Sequence, residues 1–308
     1  IPTPALLGAG VGIFGPVLSA MVADVVPPED RRQANGLLRL STNVARIGGI
    51  GIAGLLVATA GGAAAMLLDA LSLFASMLLI VSTRTASLSP SGGSMLDDLR
   101  LGWREFAGRT WVWSIVAAAF LLNAVWSAVV GVYGPLIASA ELGGAPTWAF
   151  VTMSGMAGAV AGTVVALRLP LPRPLLIGML CYAAFSTVPL ALALRLPALA
   201  LAAVFFVVHV GHDILSIAWD TVMQQEIPRE ALSRVSAWDW LGSIGAMPIG
   251  YAIAGPIVDR LDIHAVLAGC ALVILLTGLA PITVREVRTM RLTAAPVDAT
   301  AEAVAPGA

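Results

Sequence analysis

Apolar residues in this chain form long runs that are separated by short polar links. Each run is close to the roughly 20 residues that a helix needs to cross the hydrocarbon core of a bilayer. The links contain helix-ending pairs such as Pro27-Pro28 and Gly61-Gly62. The pattern predicts membrane-spanning helices at about nine places: 4–25, 34–58, 62–82, 112–138, 146–167, 174–194, 197–221, 235–258 and 264–284.

Two segments depart from this pattern of spans and links. Within 84–111, apolar residues recur at helical steps of three and four between charged residues: Leu96, Leu99, Trp103 and Phe106. This spacing predicts an amphipathic linker helix that lies on the inner membrane surface. The second segment, 285–308, is a polar, Ala/Pro-rich tail without an apolar face, and we expect it to be disordered in the cytoplasm.

Composition narrows the class of protein. Hydrophobic residues make up 58% of the chain and charged residues only 11%, against about 25% charged in soluble proteins. The net charge of −1 provides no basic field that would attract nucleic acid. Phosphate-binding loops, hydrolase motifs and zinc-protease motifs are absent from the sequence. We therefore expect a membrane protein that is not an enzyme and has no cofactor or resident metal.

The arginines predict how the spans are oriented. All 17 basic residues are arginine, and alternate links hold all of them except Arg195 and Arg260. Cytoplasmic links of membrane proteins are enriched in positive charge. The distribution therefore predicts a multi-pass protein of the plasma membrane whose C-terminus is cytoplasmic.

A turn that leads into a helix with small residues occurs twice, 201 positions apart. The first copy begins at Val26-Pro27-Pro28-Glu29 and carries Ala45, Gly49 and Ile52-Ala53-Gly54. The second begins at Ile227-Pro228-Arg229-Glu230 and carries Ala246, Gly250 and Ile253-Ala254-Gly255. In an apolar chain, a period of this length predicts two homologous membrane halves, which is the parallel repeat of one class of secondary transporters.

The motifs at these turns resemble the major facilitator superfamily. The run from Val26 to Gly36 is similar to the junction of family helices four and five. The run from Trp219 to Pro228, followed by Ser233-Arg234-Val235-Ser236, is similar to the junction of helices ten and eleven. The resemblance covers about 1–284 and is greatest to the siderophore-exporter and macrolide-efflux branch.

This resemblance implies an all-helical bundle in which the chain supplies helices four to twelve of a 6+6 repeat. The implied parts are the last three helices of the first half (1–83), the linker (84–111), the second half (112–284) and the tail (285–308). We therefore expect the natural protein to be longer at its N-terminus, by three helices. The resemblance also implies a monomer that exchanges a small-molecule substrate and protons across the lipid bilayer by alternating access.

The expected activity is proton-coupled efflux of a hydrophobic or amphipathic small molecule of the drug or siderophore type. Two alternatives stay open at this point. The chain is an import permease of the same fold, or it is a non-transporting membrane scaffold or decayed transporter.

Ionisable residues inside apolar spans are energetically costly, so each is a candidate for function. The span 197–221 matches family helix ten, which lines the central cavity in related transporters. It places His209, His212 and Asp213 on one face near mid-depth. Because imidazole titrates near neutral pH, we predict that these three residues carry a coupling proton. A polar pair that only holds helices together, or a metal site, is the alternative.

Other polar and aromatic side chains are candidates for contact with substrate. Asn123, Trp126 and Tyr133 share one face of the span 112–138, and Ser216 lies on the face of Asp213. We predict that these four line a cavity for an amphipathic substrate, with simple packing as the alternative. For Trp238-Asp239-Trp240 the prediction is interfacial anchoring.

The span 34–58 carries a line of polar residues at steps of four, four and three. These residues are Asn35, Arg39, Asn43 and Arg46. Arg46 lies near mid-depth, where its charge requires compensation. We predict an intramembrane ion pair between Arg46 and Asp69 of the next span, and its role is either structural or substrate-facing.

Overall fold

The computed structural model describes residues 22, 26–82, 95–168 and 171–291. Over these residues the chain is helical and contains no strand, so the predicted all-helical fold is confirmed. The helices are α1 (Arg31–Ser82), α2 (Met95–Ala107), α3 (Thr110–Ala128), α4 (Gly134–Glu141), α5 (Ala145–Arg168), α6 (Pro174–Ala184), α7 (Thr187–Ala193), α8 (Ala198–Glu226), α9 (Arg229–Ile244), α10 (Met247–Val258), α11 (Ile263–Leu279) and α12 (Arg285–Thr289). A π-helical turn, Val129–Tyr133, joins α3 to α4.

Seven stretches within the described ranges are long and apolar enough to cross a membrane. They are Thr59–Ser76, Thr110–Glu141, Ala145–Arg168, Pro174–Ala193, Ala198–Glu226, Arg229–Val258 and Ile263–Thr283. Seven of the predicted spans are thereby found in helices of suitable length. The predicted span 34–58 is helical as the first part of α1, and the span 4–25 lies outside the described residues apart from Val22.

The predicted boundary at Gly61-Gly62 is an interruption inside one long helix. Gly61 has φ of +82° and ψ of 168°, a backbone conformation that only glycine adopts without strain. Helix continues on both sides of this residue, so α1 (Arg31–Ser82) consists of two helical segments that meet at a kink at Gly61.

Close packing of α5 on α8 depends on glycines. Gly158 faces the carbonyl oxygen of Phe206 and Gly162 faces that of Val210, at distances that leave no room for a side chain. Small residues of this kind let helix backbones approach each other where no hydrophobic effect drives association. The α5–α8 pair therefore forms a rigid wall, which holds the polar face of α8 in a defined position.

The two copies of the repeat differ in what surrounds their glycines. Gly250 of α10 packs against the backbone of Ala124 in α3, where Ser127 Oγ donates a hydrogen bond to the carbonyl oxygen of Met247 (3.0 Å). Gly49 of α1 has no described neighbour within 4 Å of the place where a Cβ would stand. Within the described ranges, only the second copy uses its small residue to pack a helix.

The predicted linker helix is present as α2, and it docks on α9. Trp238 Nε1 donates a hydrogen bond to the carbonyl oxygen of Leu99 (3.2 Å), and the rings of Trp103 and Trp238 are 5.0 Å apart. Phe106 is buried, whereas Leu99 and Trp103 are exposed. Its location on the inner membrane surface stays a prediction. The predicted disordered tail 285–308 is wrong at its start, because Arg285–Thr289 form α12 with Val287 buried. Residues 292–308 lie outside the described residues.

Candidate functional site

A cavity of about 480 Å³ lies between α1, α3, α6, α8 and α9. Small-molecule sites in proteins have volumes of roughly 300–1,000 Å³. The wall combines apolar, aromatic and ionisable side chains: Val22, Asn35, Leu38, Arg39, Thr42, Ile115, Val116, Ala119, Asn123, Tyr182, His212, Leu215, Ser216, Trp219, Asp220, Asp239, Trp240, Ser243 and Ile244. The polar line of α1 thus faces the polar face of α8 across this space.

Asp213 is the buried centre of a polar cluster next to the cavity. Its side chain is 4% exposed. Asp213 Oδ1 accepts hydrogen bonds from Asn43 Nδ2 (2.9 Å) and Thr163 Oγ1 (3.3 Å), and it lies 3.5 Å from Arg39 Nε. These donors come from α1 and α5, so one carboxylate joins three helices. Because a buried charge is costly when unpaired, this degree of pairing explains how it is tolerated.

His212 connects this carboxylate to the cavity. Its Nδ1 lies 3.6 Å from Asp213 Oδ2, and its side chain is 40% exposed and lines the cavity. His212 is therefore the one member of the predicted proton-carrying set that touches both the buried carboxylate and the open space.

His209 occupies a different environment from the other two candidates. Its ring stacks on Phe205 with centroids 5.8 Å apart, and Phe185 and Trp126 are also in contact with it. His209 Nδ1 lies 2.8 Å from the carbonyl oxygen of Phe205, one turn earlier in the same helix. The sequence placed His209 on one face with His212 and Asp213, but in the structure the side chain of Asp213 contacts His212, Arg39 and Asn43.

Two acidic residues of the cavity wall, Asp220 and Asp239, were not among the predicted site residues. Asp239 accepts hydrogen bonds from Trp219 Nε1 (3.0 Å) and Ser243 Oγ (3.1 Å). Asp239 and Trp240 both line the cavity, and interfacial anchoring of this segment stays a prediction. The steps of three and four that join Ser236, Asp239 and Ser243 are the sequence signal for this polar face.

The predicted substrate-cavity residues divide into two groups. Asn123 and Ser216 line the cavity, and Asn123 Nδ2 also donates a hydrogen bond to the carbonyl oxygen of Ser243 (2.9 Å). Trp126 instead packs in the aromatic cluster around His209, and Tyr133 is 1% exposed in the core. Asn123 and Trp126 lie one helical turn apart on α3. The π-helical turn at Val129–Tyr133 changes the helical register before Tyr133, so the predicted shared face does not extend to that residue.

The predicted ion pair between Arg46 and Asp69 is not formed in the structure. Both side chains are exposed, and no ion pair joins them within the described ranges. They lie on opposite sides of the kink at Gly61 in α1.

A buried polar seam holds the start of α1 against the end of α8. The α1–α8 seam consists of Arg31, Asn35, Thr221 and Gln224. Asn35 Nδ2 donates hydrogen bonds to Gln224 Oε1 (2.9 Å) and Thr221 Oγ1 (3.2 Å), and Arg31 Nη1 donates to the carbonyl oxygen of Gln224 (2.6 Å). Asn35 also lines the cavity, so the seam closes one end of that space.

A profile of the Major Facilitator Superfamily matches residues 3–245. The chain belongs to the major facilitator superfamily. It is therefore a multi-pass membrane protein of a transporter family, and that family is not an enzyme class. The nine-span pattern and the motifs near Pro27 and Pro228 had led to the same family.

Relatives within the superfamily include multidrug efflux pumps. The pump Tap of Mycobacterium tuberculosis is 26% identical over 311 residues, which cover 94% of this chain and 71% of that protein. Tap of Mycolicibacterium fortuitum is 24% identical over 315 residues, which cover 94% of this chain and 73% of that protein.

A solved transporter structure has the same fold as this chain. It is the crystal structure of a bacterial homologue of the iron transporter ferroportin in the outward-facing state. The TM-score is 0.62 at 20% sequence identity, and the match covers 85% of this chain and 65% of the other. At this identity the likeness shows the fold alone.

Proposed function

We propose that this transporter exports hydrophobic or amphipathic small molecules across the plasma membrane in exchange for protons. The export works by alternating access, with a cytoplasmic C-terminus as the arginine distribution predicts. The observation that carries the proposal is the placement of Asp213, a buried carboxylate that joins α1, α5 and α8 beside the cavity. Protons, one small-molecule substrate and the lipid bilayer are its expected partners.

Asp213 links proton binding to helix packing. As a carboxylate it attracts the guanidinium of Arg39 in α1 and accepts the amide of Asn43. Protonation removes the attraction for Arg39, because a neutral acid no longer pairs with a cation. The proton therefore weakens one contact between α1 and α8. Alternating access requires such a differential contact between conformational states.

His212 gives the proton a route to this carboxylate. The imidazole lies between Asp213 and the cavity, and its side chain is accessible from that space. Imidazole gains and loses a proton near neutral pH when unperturbed. A proton that enters through the cavity reaches Asp213 through His212, whereas His209 lies among aromatic rings away from this path.

The substrate class and the direction of transport rest on the cavity and on the relatives. Apolar and aromatic side chains form most of the cavity wall, which suits an amphipathic molecule. The relatives from Mycobacterium tuberculosis and Mycolicibacterium fortuitum are both named multidrug efflux pumps. Both observations favour export of an amphipathic compound over import of a polar nutrient.

Export assays on the product of the complete gene test this proposal. Cells are loaded with rhodamine 6G, which is cationic, or with Nile red, which is uncharged, and export is followed with and without a protonophore. We expect the protein to lower retention of at least one dye and the protonophore to restore it. Export that persists after the proton gradient collapses contradicts proton coupling.

The variant Asp213→Asn tests the residue on which the proposal depends. We expect it to abolish gradient-driven export while membrane expression and dye binding persist, because the amide keeps the shape but not the charge. Asp259→Asn, an exposed residue at the end of α10, is the matched control. A purely structural role for Asp213 predicts a lower melting temperature with a normal export rate per folded molecule, and full export by Asp213→Asn refutes the coupling role.

A further inference from the structure

The cavity contains more acidic than basic charge. Its ionisable lining residues are Arg39, His212, Asp220 and Asp239. The guanidinium of Arg39 is 3.5 Å from Asp213 and is also the basic neighbour of Asp220, so one guanidinium serves two carboxylates. An uncompensated charge within a membrane-spanning segment is costly and marks a site of function. The excess of acidic groups therefore favours a positively charged partner that enters the cavity.

Asp220 differs from the other two carboxylates in having no donor. Asp213 and Asp239 both accept hydrogen bonds from neighbouring side chains. Within the described ranges, Asp220 makes no hydrogen bond and no ion pair, and its charged neighbours are Arg39 and Asp239. A carboxylate that only held helices together would have donors around it. Asp220 instead keeps its acceptor oxygens for a group inside the cavity.

The remaining wall indicates what kind of cation fits. Trp219, Trp240 and Tyr182 present aromatic rings, and a cation over an aromatic face is stabilised electrostatically. Apolar side chains such as Leu38, Ile115 and Ile244 cover much of the rest. A metal ion does not suit this wall, because no group of three or more His, Cys, Asp and Glu residues in the described part of the chain is arranged to hold one.

The geometry points to a cavity that selects amphipathic organic cations, with Asp220 as the residue that recognises the positive charge. Asp239, held in place by Trp219 and Ser243, is the second carboxylate of this site. The inference rests on the proposed export function and names its substrate class. An anionic molecule would meet two carboxylates, and a neutral molecule would leave the charge of Asp220 uncompensated.

Binding of a matched pair of probes tests this inference without relying on transport. Tetraphenylphosphonium is a permanent cation, and triphenylphosphine oxide carries a similar apolar body without charge. Their affinities for the purified full-length protein in nanodiscs are measured by quenching of tryptophan fluorescence, since Trp219 and Trp240 line the cavity. We expect tetraphenylphosphonium to bind about tenfold more tightly, which is on the order of one screened attraction between opposite charges several ångströms apart.

Variants of the two carboxylates assign the preference to this cavity. Asp220→Asn should lower the ratio of the two affinities about tenfold, Asp220→Glu should restore it, and the exposed control Asp259→Asn should leave it unchanged. Equal affinities in the unaltered protein, or a preference that survives Asp220→Asn, overturns the inference. Because binding is measured separately from export, neither result decides whether the protein is an exporter. That proposal is tested by the export assay with the uncharged dye Nile red.

Discussion

Asn35 Nδ2 lies 2.9 Å from Gln224 Oε1, so a buried hydrogen bond joins residues that are 189 positions apart. Gln224 Nε2 returns a hydrogen bond to Asn35 Oδ1 at 3.3 Å. The two amides thus form a reciprocal pair between α1 and α8. These helices belong to different predicted halves of the repeat. If the halves rock against each other, this pair must separate in one of the two access states.

Cross-linking the seam should therefore stop transport. In a background with Cys181 and Cys270 replaced by serine, Asn35→Cys with Gln224→Cys is treated with a short thiol-reactive cross-linker. We expect export to fall to the background rate, because α1 can no longer leave α8. Export by the cross-linked protein is measured against the same protein after release with a reducing agent.

Each single-cysteine variant, treated in the same way, is the control for this experiment. These variants carry the same substitutions and the same reagent but no covalent link. Normal export by fully cross-linked protein would show that the seam stays closed throughout the transport cycle.

The different surroundings of the two histidines predict different effects of substitution. His212→Gln should change the dependence of export on pH, because it removes the imidazole that lies between the cavity and Asp213. His209→Gln should lower the stability of the protein by about 1 kcal/mol through loss of ring contacts, while the pH profile of export stays as in the unaltered protein. Export rates at several pH values and a thermal melt of each variant check both statements. If only His209→Gln shifts the pH profile of export, His209 and not His212 is the residue that takes part in proton coupling.

Much of this architecture follows from periodicity, because membrane helices must be long and apolar. The seven apolar stretches and the linker helix were located in this way. Contacts between side chains on different helices could not be predicted from this periodicity. Spacing placed His209 and Asp213 on one face, but it contains no information about Asn43 and Arg39, which approach from α1. Asp220 and Asp239 have charges that the sequence shows, yet only the packing of α9 beside α8 brings them to one cavity.

Glycine packing between α5 and α8 predicts where the bundle tolerates no added volume. Gly162→Leu should destabilise the protein by about 1–3 kcal/mol or more, because the new side chain meets the backbone of Val210 in α8. Gly269→Leu in α11 is the matched control, since that glycine has no described neighbour within 4 Å. Thermal melts in detergent compare the two variants. Equal melting temperatures for both would contradict the close approach of α5 to α8.

Docking of the linker helix on α9 provides the last prediction. Trp238→Phe keeps a ring against Trp103 but loses the hydrogen bond to the carbonyl oxygen of Leu99, a loss of about 1 kcal/mol. Trp238→Ala loses both interactions. Since α2 contains Arg100 and Arg104, we expect trypsin to cleave this helix faster when it is released from α9 and can unfold locally. We expect the cleavage rate in everted vesicles to rise modestly for Trp238→Phe and strongly for Trp238→Ala.

The exposed Trp113 on α3 is the control for this series, and Trp113→Ala should leave the cleavage rate unchanged. The order of the cleavage rates can also be compared with dye affinity, because Trp238 is next to Asp239, which lines the cavity. If α2 holds α9 in register, the variants that free the helix also move this carboxylate and alter dye affinity in the same order. Equal cleavage rates in all four proteins would show that α2 stays in place without Trp238.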